Sequence, residues 1–258
     1  MFAGAVAGAS TGLLGVYIVG MRMPFIGVCI SHSAMAGTIY SILLGVNPVW
    51  GAAVFSAGVS TSLAAIRPGR SRMDANVALA ILFNLMLGLT FLGIGLIHGS
   101  RSEVLGLLWG SLLFVRTGSV VTITILGLVL VVFVILFNKE LKSLLFSRTI
   151  ASATGVHESF VYCLLLALCG LILAVNLPLV GGLMIFSLIT CPAAAAYQIC
   201  TGHRSVVLAA TVFGMTSALA GFLVSYYLDL PTGACIVIVS AGIFAAAATG
   251  RLLRRKRD

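Results

Sequence analysis

The residues best suited to chemistry in this sequence are a thiol and an imidazole, Cys29 and His32, within an otherwise apolar run. Residues three apart share one face of a helix. A thiolate and an imidazole there could form half of a tetrahedral site for a borderline divalent cation such as zinc. The alternative is a packed thiol beside a neutral histidine bonded to a backbone carbonyl, and the residue types alone favour this alternative.

No enzymatic motif accompanies this pair. The sequence has no G-x-x-x-x-G-K-[ST] loop for nucleotide phosphates, no H-E-x-x-H and no G-x-S-x-G. We therefore predict that the protein is not an enzyme and that any ATP hydrolysis it depends on takes place on another subunit. The other histidines, His98, His157 and His203, lie at predicted segment ends and are interpreted as solvated.

The elements that must position Cys29 and His32 are membrane spans. Of 258 residues, 60% are hydrophobic and 8% are charged, against about a quarter charged in soluble domains. This composition excludes a soluble enzyme, a disordered chain and a fibrous repeat, and it predicts an all-α integral membrane protein with one domain over 1–258. Nine apolar segments are long enough to cross a bilayer: 2–20, 25–45, 48–66, 75–97, 118–137, 159–176, 179–199, 206–228 and 232–250. A tenth, 104–115, is too short to cross and is predicted to be re-entrant or interfacial.

The basic residues predict the orientation of these spans. With nine crossings, 13 of the 15 Lys and Arg residues lie on one side and two, Arg101 and Arg116, on the other. Because cytoplasmic loops are enriched in Lys and Arg, we predict an external N-terminus and a cytoplasmic C-terminus. No basic stripe interleaved with aromatics occurs, which argues against nucleic acid, and the six cysteines are interpreted as small buried hydrophobes.

The longest stretch between spans, 138–158, carries small side chains at its centre. We predict a short helix ending at Gly155, a residue type suited to a left-handed helix stop. Small residues on an exposed helix suit close docking of a partner, and Ala151, Ala153 and Gly155 are the candidate docking residues. The alternative is a simple connector.

Five blocks of the sequence, taken in order, resemble the membrane permease subunits of zinc/manganese-type ABC importers. The blocks are M-P-F-I-G…S-H-S-A-M-A-G at 23–37, L-W-G-S-L-L at 108–113, A-x-x-x-G at 151–155, V-G-G-L with P-A-A-A-A at 180–183 and 192–196, and D-L-P-T-G at 229–233. Each block is weak alone, whereas the order and spacing of all five are specific. The resemblance runs nearly the whole length of the chain.

The resemblance implies a homodimer of permeases in the cell membrane, two cytoplasmic ATPase subunits docked on the segments around residue 151, and an external metal-binding protein. It associates His32 with the metal pathway, and the metal is cargo rather than a resident cofactor. The family's Asp four residues before this histidine is Val28 here, and the acid that usually opens the coupling segment is replaced near Thr149.

The loss of the Asp, with Cys29 beside His32, favours zinc over manganese, because manganese prefers oxygen ligands. Two alternatives stay open: an importer of another cargo such as a metal chelate, and an ion-coupled secondary carrier. The secondary carrier predicts carboxylates near mid-membrane, and the assigned spans contain none.

Overall fold

A computed structural model of the chain describes residues 1–23, 25–65, 75–97, 117–146, 158–181 and 185–255. Every regular element in these ranges is a helix, which confirms the predicted all-α class. We number them in chain order: α1 Phe2–Gly20, α2 Phe25–Leu43, α3 Pro48–Ala65, α4 Ala75–Leu96, α5 Thr117–Leu136, α6 Asn138–Phe146, α7 Glu158–Val180, α8 Ile185–Ile199, α9 His203–Leu228 and α10 Thr232–Arg255.

Each of the nine predicted apolar segments corresponds to one of these helices, and α6 is an additional short one. Within the described ranges, seven helices are long and apolar enough to cross a membrane: α1, α2, α4, α5, α7, α9 and α10. Helix α8 is apolar but has 15 residues, about 22 Å of helix against a hydrocarbon core of about 30 Å. Membrane character is therefore confirmed, whereas nine crossings and their orientation stay predictions, and segment 104–115 lies outside the described residues.

Four predicted boundaries were wrong by three or more residues. Helix α8 begins at Ile185 rather than at 179, and α10 ends at Arg255 rather than at 250. The other two are the end of α7 and the start of α9. Helix α7 continues through Asn176 and Pro178 to Val180, and the chain turns at Gly181, whose φ of +94° suits a residue without a Cβ. Helix α9 begins at His203 rather than at 206. In both cases hydropathy placed the helix end at a polar residue, whereas backbone hydrogen bonding carries the helix past it.

Helices α1 and α9 pack backbone against backbone. A Cβ added at Gly8 would overlap the carbonyl oxygen of Gly214, and one at Gly12 would overlap that of Ala210. Small residues spaced every four positions allow this approach between membrane helices. Glycine recurs at this spacing at positions 4, 8 and 12, and Gly8 and Gly12 form the packing face.

Helix α2 packs against α3, α4 and α7. Its approach to α3 is equally close, because a Cβ at Gly37 would overlap the carbonyl oxygen of Gly51. Fourteen of its 19 residues are buried. Helices α4 and α5, in contrast, leave most of their side chains on the outside of the single chain.

Candidate functional site

The candidate metal-binding pair lies on the central helix. The chain leaves α1 through a turn in which Arg22 has φ +59° and then enters α2 at Phe25. Cys29 and His32 follow in the first two turns of α2, with 0% and 6% of their surface exposed. Both side chains therefore lie inside the bundle, as expected for two residues on one buried helix face.

The orientation of the His32 ring is set by its own helix and by α4. Its Nδ1 lies 3.0 Å from the carbonyl oxygen of Val28. Because a carbonyl can only accept, Nδ1 carries the proton and Nε2 keeps its lone pair. The ring also packs edge-on against Phe83, with centroids 4.8 Å apart at 81°.

This geometry serves both interpretations of His32. A neutral histidine bonded to a backbone carbonyl is the alternative to a metal ligand that the residue types favoured. The same bond is also the one that fixes the tautomer of metal-ligating histidines, which bind through the free nitrogen. The geometry thus leaves Nε2 competent as a ligand.

The pair does not form a complete site within one chain's described residues. No group of three or more His, Cys, Asp and Glu side chains comes together there. The seven candidate spans contain no Asp or Glu at all. A cation at His32 would therefore complete its coordination with water, backbone oxygens or groups outside the described ranges.

Sequence reasoning missed polar atoms of four side chains that are buried without a hydrogen-bond partner in the part of the chain that the structure describes. They are the Tyr17 hydroxyl, one carboxylate oxygen of Glu140 (Oε2), both amide atoms of Asn176 and the Nε2 of His203. The interpretation of His203 as solvated was wrong at this nitrogen, because the ring lies against that of Tyr17 with centroids 6.0 Å apart. The available signal was a polar side chain inside an apolar stretch, and it applies to Asn176 most clearly.

The candidate docking residues Ala151, Ala153 and Gly155 lie outside the described residues. Helix α6, which precedes them, is anchored to the bundle through its buried Leu141 and Leu144. Helix α7 resumes the chain at Glu158. The docking residues therefore lie in the part of the chain between these two helices.

Comparisons with known proteins agree with this architecture. The model of the ABC 3 transport family matches residues 1–250. The chain is 29% identical to the manganese transport system membrane protein MntC of Listeria monocytogenes over 97% of this chain and 91% of that protein. It is 31% identical to MntC of Halalkalibacterium halodurans over 95% of this chain and 84% of that protein. It is 28% identical to the high-affinity zinc uptake system membrane protein ZnuB of Haemophilus influenzae over 100% and 97%.

Solved structures give the same result. The chain superposes on PsaBC from Streptococcus pneumoniae in complex with Fab with a TM-score of 0.84 at 26% identity, covering 95% of this chain and 88% of that one. It also matches a putative metal-chelate type ABC transporter in an inward-facing conformation, with a TM-score of 0.77 at 19% identity over 96% and 84%. The second match shows the fold alone.

Proposed function

Because the chain belongs to the ABC 3 transport family, we propose that it is the membrane-spanning permease subunit of an ATP-driven importer of divalent metal, zinc or manganese. The observation that carries this proposal is the end-to-end match to permeases named for manganese and for zinc. The protein is a multi-pass protein of the cell membrane. It forms the translocation path and hydrolyses no ATP itself.

The cation that we favour is zinc. Zinc accepts nitrogen and sulfur ligands, whereas manganese prefers oxygen. The buried pair Cys29 and His32 supplies sulfur and nitrogen, and Val28 stands where the family has a carboxylate. Relatives named for either metal match about equally well, so the preference rests on these three residues.

The topology that fits this role has nine crossings in a single domain, with the N-terminus outside. The charge distribution supports it, because 13 of 15 basic residues then face the cytoplasm. In this orientation His32 lies two turns from the cytoplasmic end of α2, and the segment around Ala151 faces the cytoplasm.

The proposed mechanism is alternating access driven by partners. A second copy of the permease completes the path, and two ATPase subunits dock on the Ala151–Gly155 segments. An external metal-binding protein delivers the cation. Closure of the ATPase subunits rocks the two permeases as rigid bodies, and His32 holds the partly dehydrated cation through Nε2 as it passes.

A metal chelate is the second candidate cargo, and the missing carboxylate favours it. A chelated metal arrives with ligands of its own and needs fewer from the protein. An ion-coupled carrier has less support, because the seven candidate spans lack the carboxylates that such coupling uses.

Uptake by the reconstituted complex tests the function. Proteoliposomes containing the permease, its ATPase and its binding protein are expected to accumulate radioactive zinc with ATP, and to discriminate against manganese. If neither free metal accumulates but a metal chelate is taken up with ATP, the chelate is the better-supported cargo. ATP-independent uptake driven by an ion gradient would contradict the importer.

Replacement of the thiol tests the metal preference. In Cys29→Ser a soft sulfur becomes a harder oxygen, and we expect the ratio of zinc to manganese uptake to fall by about tenfold. Cys169→Ser is the matched control, since Cys169 is equally buried in α7. An unchanged ratio would mean that Cys29 only packs.

A further inference from the structure

Helix α6 rests on bare backbone in the last turn of α1. A Cβ added at Gly20 would overlap two side chains there, Leu145 from α6 and the hydroxyl of Tyr197 from α8. The neighbouring Leu141 and Leu144 are buried and hold the same short helix against the bundle. Three helices therefore meet at one glycine. We call this contact of Gly20, Leu145 and Tyr197 the α6 joint.

Two further contacts bring α8 and α9 to the same turn of α1. The Tyr197 hydroxyl donates a hydrogen bond to the carbonyl oxygen of Val16, 2.9 Å away, and so links α8 to α1. The buried ring of Tyr17 packs edge-on against the ring of His203, the first residue of α9, with centroids 6.0 Å apart. The last turn of α1 is thus in contact with α6, α8 and α9 together.

Helix α1 is also interlocked with α8 and α9 over the rest of its length. Gly8 and Gly12 lie against the backbone of α9, and a Cβ at Gly15 would overlap the carbonyl oxygen of Ile189 in α8. Contacts between two backbones cannot be relieved by a change of rotamer, and close-packed interiors resist gradual deformation. We therefore expect α1, α8 and α9 to move as one body, with α6 seated on it.

The connection from α1 to the helix that carries His32 is short and hydrogen-bonded. The backbone N–H of Arg22 donates to the carbonyl oxygen of Val19 at 3.0 Å, and that of Met23 donates to Ile18 at 3.4 Å. These two bonds form a Schellman stop, which fixes the direction in which the chain leaves a helix. Helix α2 begins at Phe25, so a movement of α1 is passed directly to α2.

We propose that Gly20, Leu145 and Tyr197 are positioning residues for coupled transport. On one side of the α6 joint, α6 ends at Phe146, a few residues before the candidate docking residue Ala151. On the other side, α1 leads through its short turn to α2 and His32. The joint keeps α6 and α1 together as one body, so that movement of the ATPase subunits reaches the metal path. The proposal rests on the proposed function and adds to it the residues that transmit the movement.

The amount of metal imported per ATP hydrolysed tests the joint, measured with the permease, its ATPase and its binding protein in proteoliposomes. In Gly20→Ala the new Cβ meets only the ends of two side chains, so the chain should fold while α6 is displaced from α1. Tyr197→Phe removes only the bond to Val16. We expect either variant to lower this ratio by about threefold or more, with ATPase co-purification and the KM for metal unchanged.

The matched controls are Gly118→Ala, whose added Cβ meets no atom within 4 Å, and Tyr227→Phe, whose ring is 78% exposed. Both should keep the ratio of the unsubstituted complex. A merely structural role for the joint would change Tm or assembly and leave the ratio as it is. An unchanged ratio in both Gly20→Ala and Tyr197→Phe overturns the proposal.

A reversible cross-link tests whether α6 and α1 stay together. Gly20→Cys combined with Leu145→Cys is oxidised in proteoliposomes, and Leu145→Cys alone gives the baseline for the six native cysteines. We expect a disulfide between positions 20 and 145, and the same import per ATP in the oxidised and reduced forms. Failure of this disulfide to form, or transport that stops on oxidation and returns on reduction, overturns the proposal. An unsubstituted complex that imports no metal with ATP overturns the proposed function instead.

Discussion

At the scale of single residues, His32 is the side chain on which transport is expected to depend. His32→Ala removes the free Nε2, and we expect metal uptake by the complex to fall by about tenfold or more. Expression and ATPase association should be unchanged. Uptake of radioactive zinc over a range of concentrations measures the effect.

The neighbouring Ser33→Ala is the matched control for this variant. Ser33 is equally buried on α2, and its hydroxyl is bonded to the carbonyl oxygen of Ile30 at 2.7 Å. Uptake by Ser33→Ala should match that of the unsubstituted protein. If His32→Ala also transports normally at every metal concentration, His32 is not in the pathway and the Val28 bond is its whole role.

Asn176 is the residue whose replacement is expected to stabilise the fold. Both of its amide atoms are buried in α7 without a partner in the described ranges. Asn176→Leu keeps the branched shape and the number of heavy atoms and removes this desolvated group, so we expect a gain of about 1–2 kcal/mol and a higher Tm in detergent.

Thr90→Val is the comparison for Asn176. The Thr90 hydroxyl is also buried, but it is bonded to the carbonyl oxygen of Met86 at 2.8 Å, so its removal should not raise the Tm. A lower Tm for Asn176→Leu would show that the amide is satisfied in the assembled protein, for example by a second copy or by water.

At the scale of elements, the close contact between α1 and α9 is expected to contribute to the stability of the bundle. A Cβ at Gly8 falls on the backbone of Gly214, which cannot move as a side chain would. We expect Gly8→Ala to destabilise the permease by about 1–3 kcal/mol. Thermal unfolding of the purified protein in detergent measures the change.

Gly118→Ala on α5 is the control, since an added Cβ there meets no atom within 4 Å. In a helix this change should be neutral or stabilising by up to about 1 kcal/mol. Equal Tm values for Gly8→Ala and Gly118→Ala would mean that α1 and α9 are not in backbone contact in the membrane.

At the scale of the whole molecule, coupling to ATP is expected to depend on the segment between α6 and α7. A charged side chain in Ala151→Glu should prevent close docking. Gly155→Val should disfavour the left-handed helix stop that the sequence predicts there, because a β-branched residue is costly in that conformation. We expect either variant to release the ATPase subunits or to abolish stimulated hydrolysis, while the permease still inserts.

Co-purification of the ATPase and hydrolysis in liposomes measure this coupling. Thr249→Glu is the control. Thr249 is exposed near the basic end of α10, so the substitution adds the same charge away from the segment. Normal association and normal hydrolysis in both segment variants would place the docking surface on another part of the permease.

The sequence by itself determined the helical class, the nine apolar segments and the placement of Cys29 and His32 within one of these segments. These features depend on hydropathy and on residue type, which are local properties. The exceptions were four helix ends. At two of them, Val180 and His203, a polar side chain marks a boundary in hydropathy but not in hydrogen bonding. There the backbone, rather than composition, decides where a helix ends.

Only the tertiary structure decided which faces meet. The contact of Gly8 with Gly214 and the edge-on packing of the His32 ring against Phe83 both depend on which helices are neighbours. In a chain whose spans are apolar on every side, hydropathy carries almost no information on orientation about the helix axis. That information lies in close packing and in the satisfaction of a few polar atoms, and both exist only once the helices are assembled.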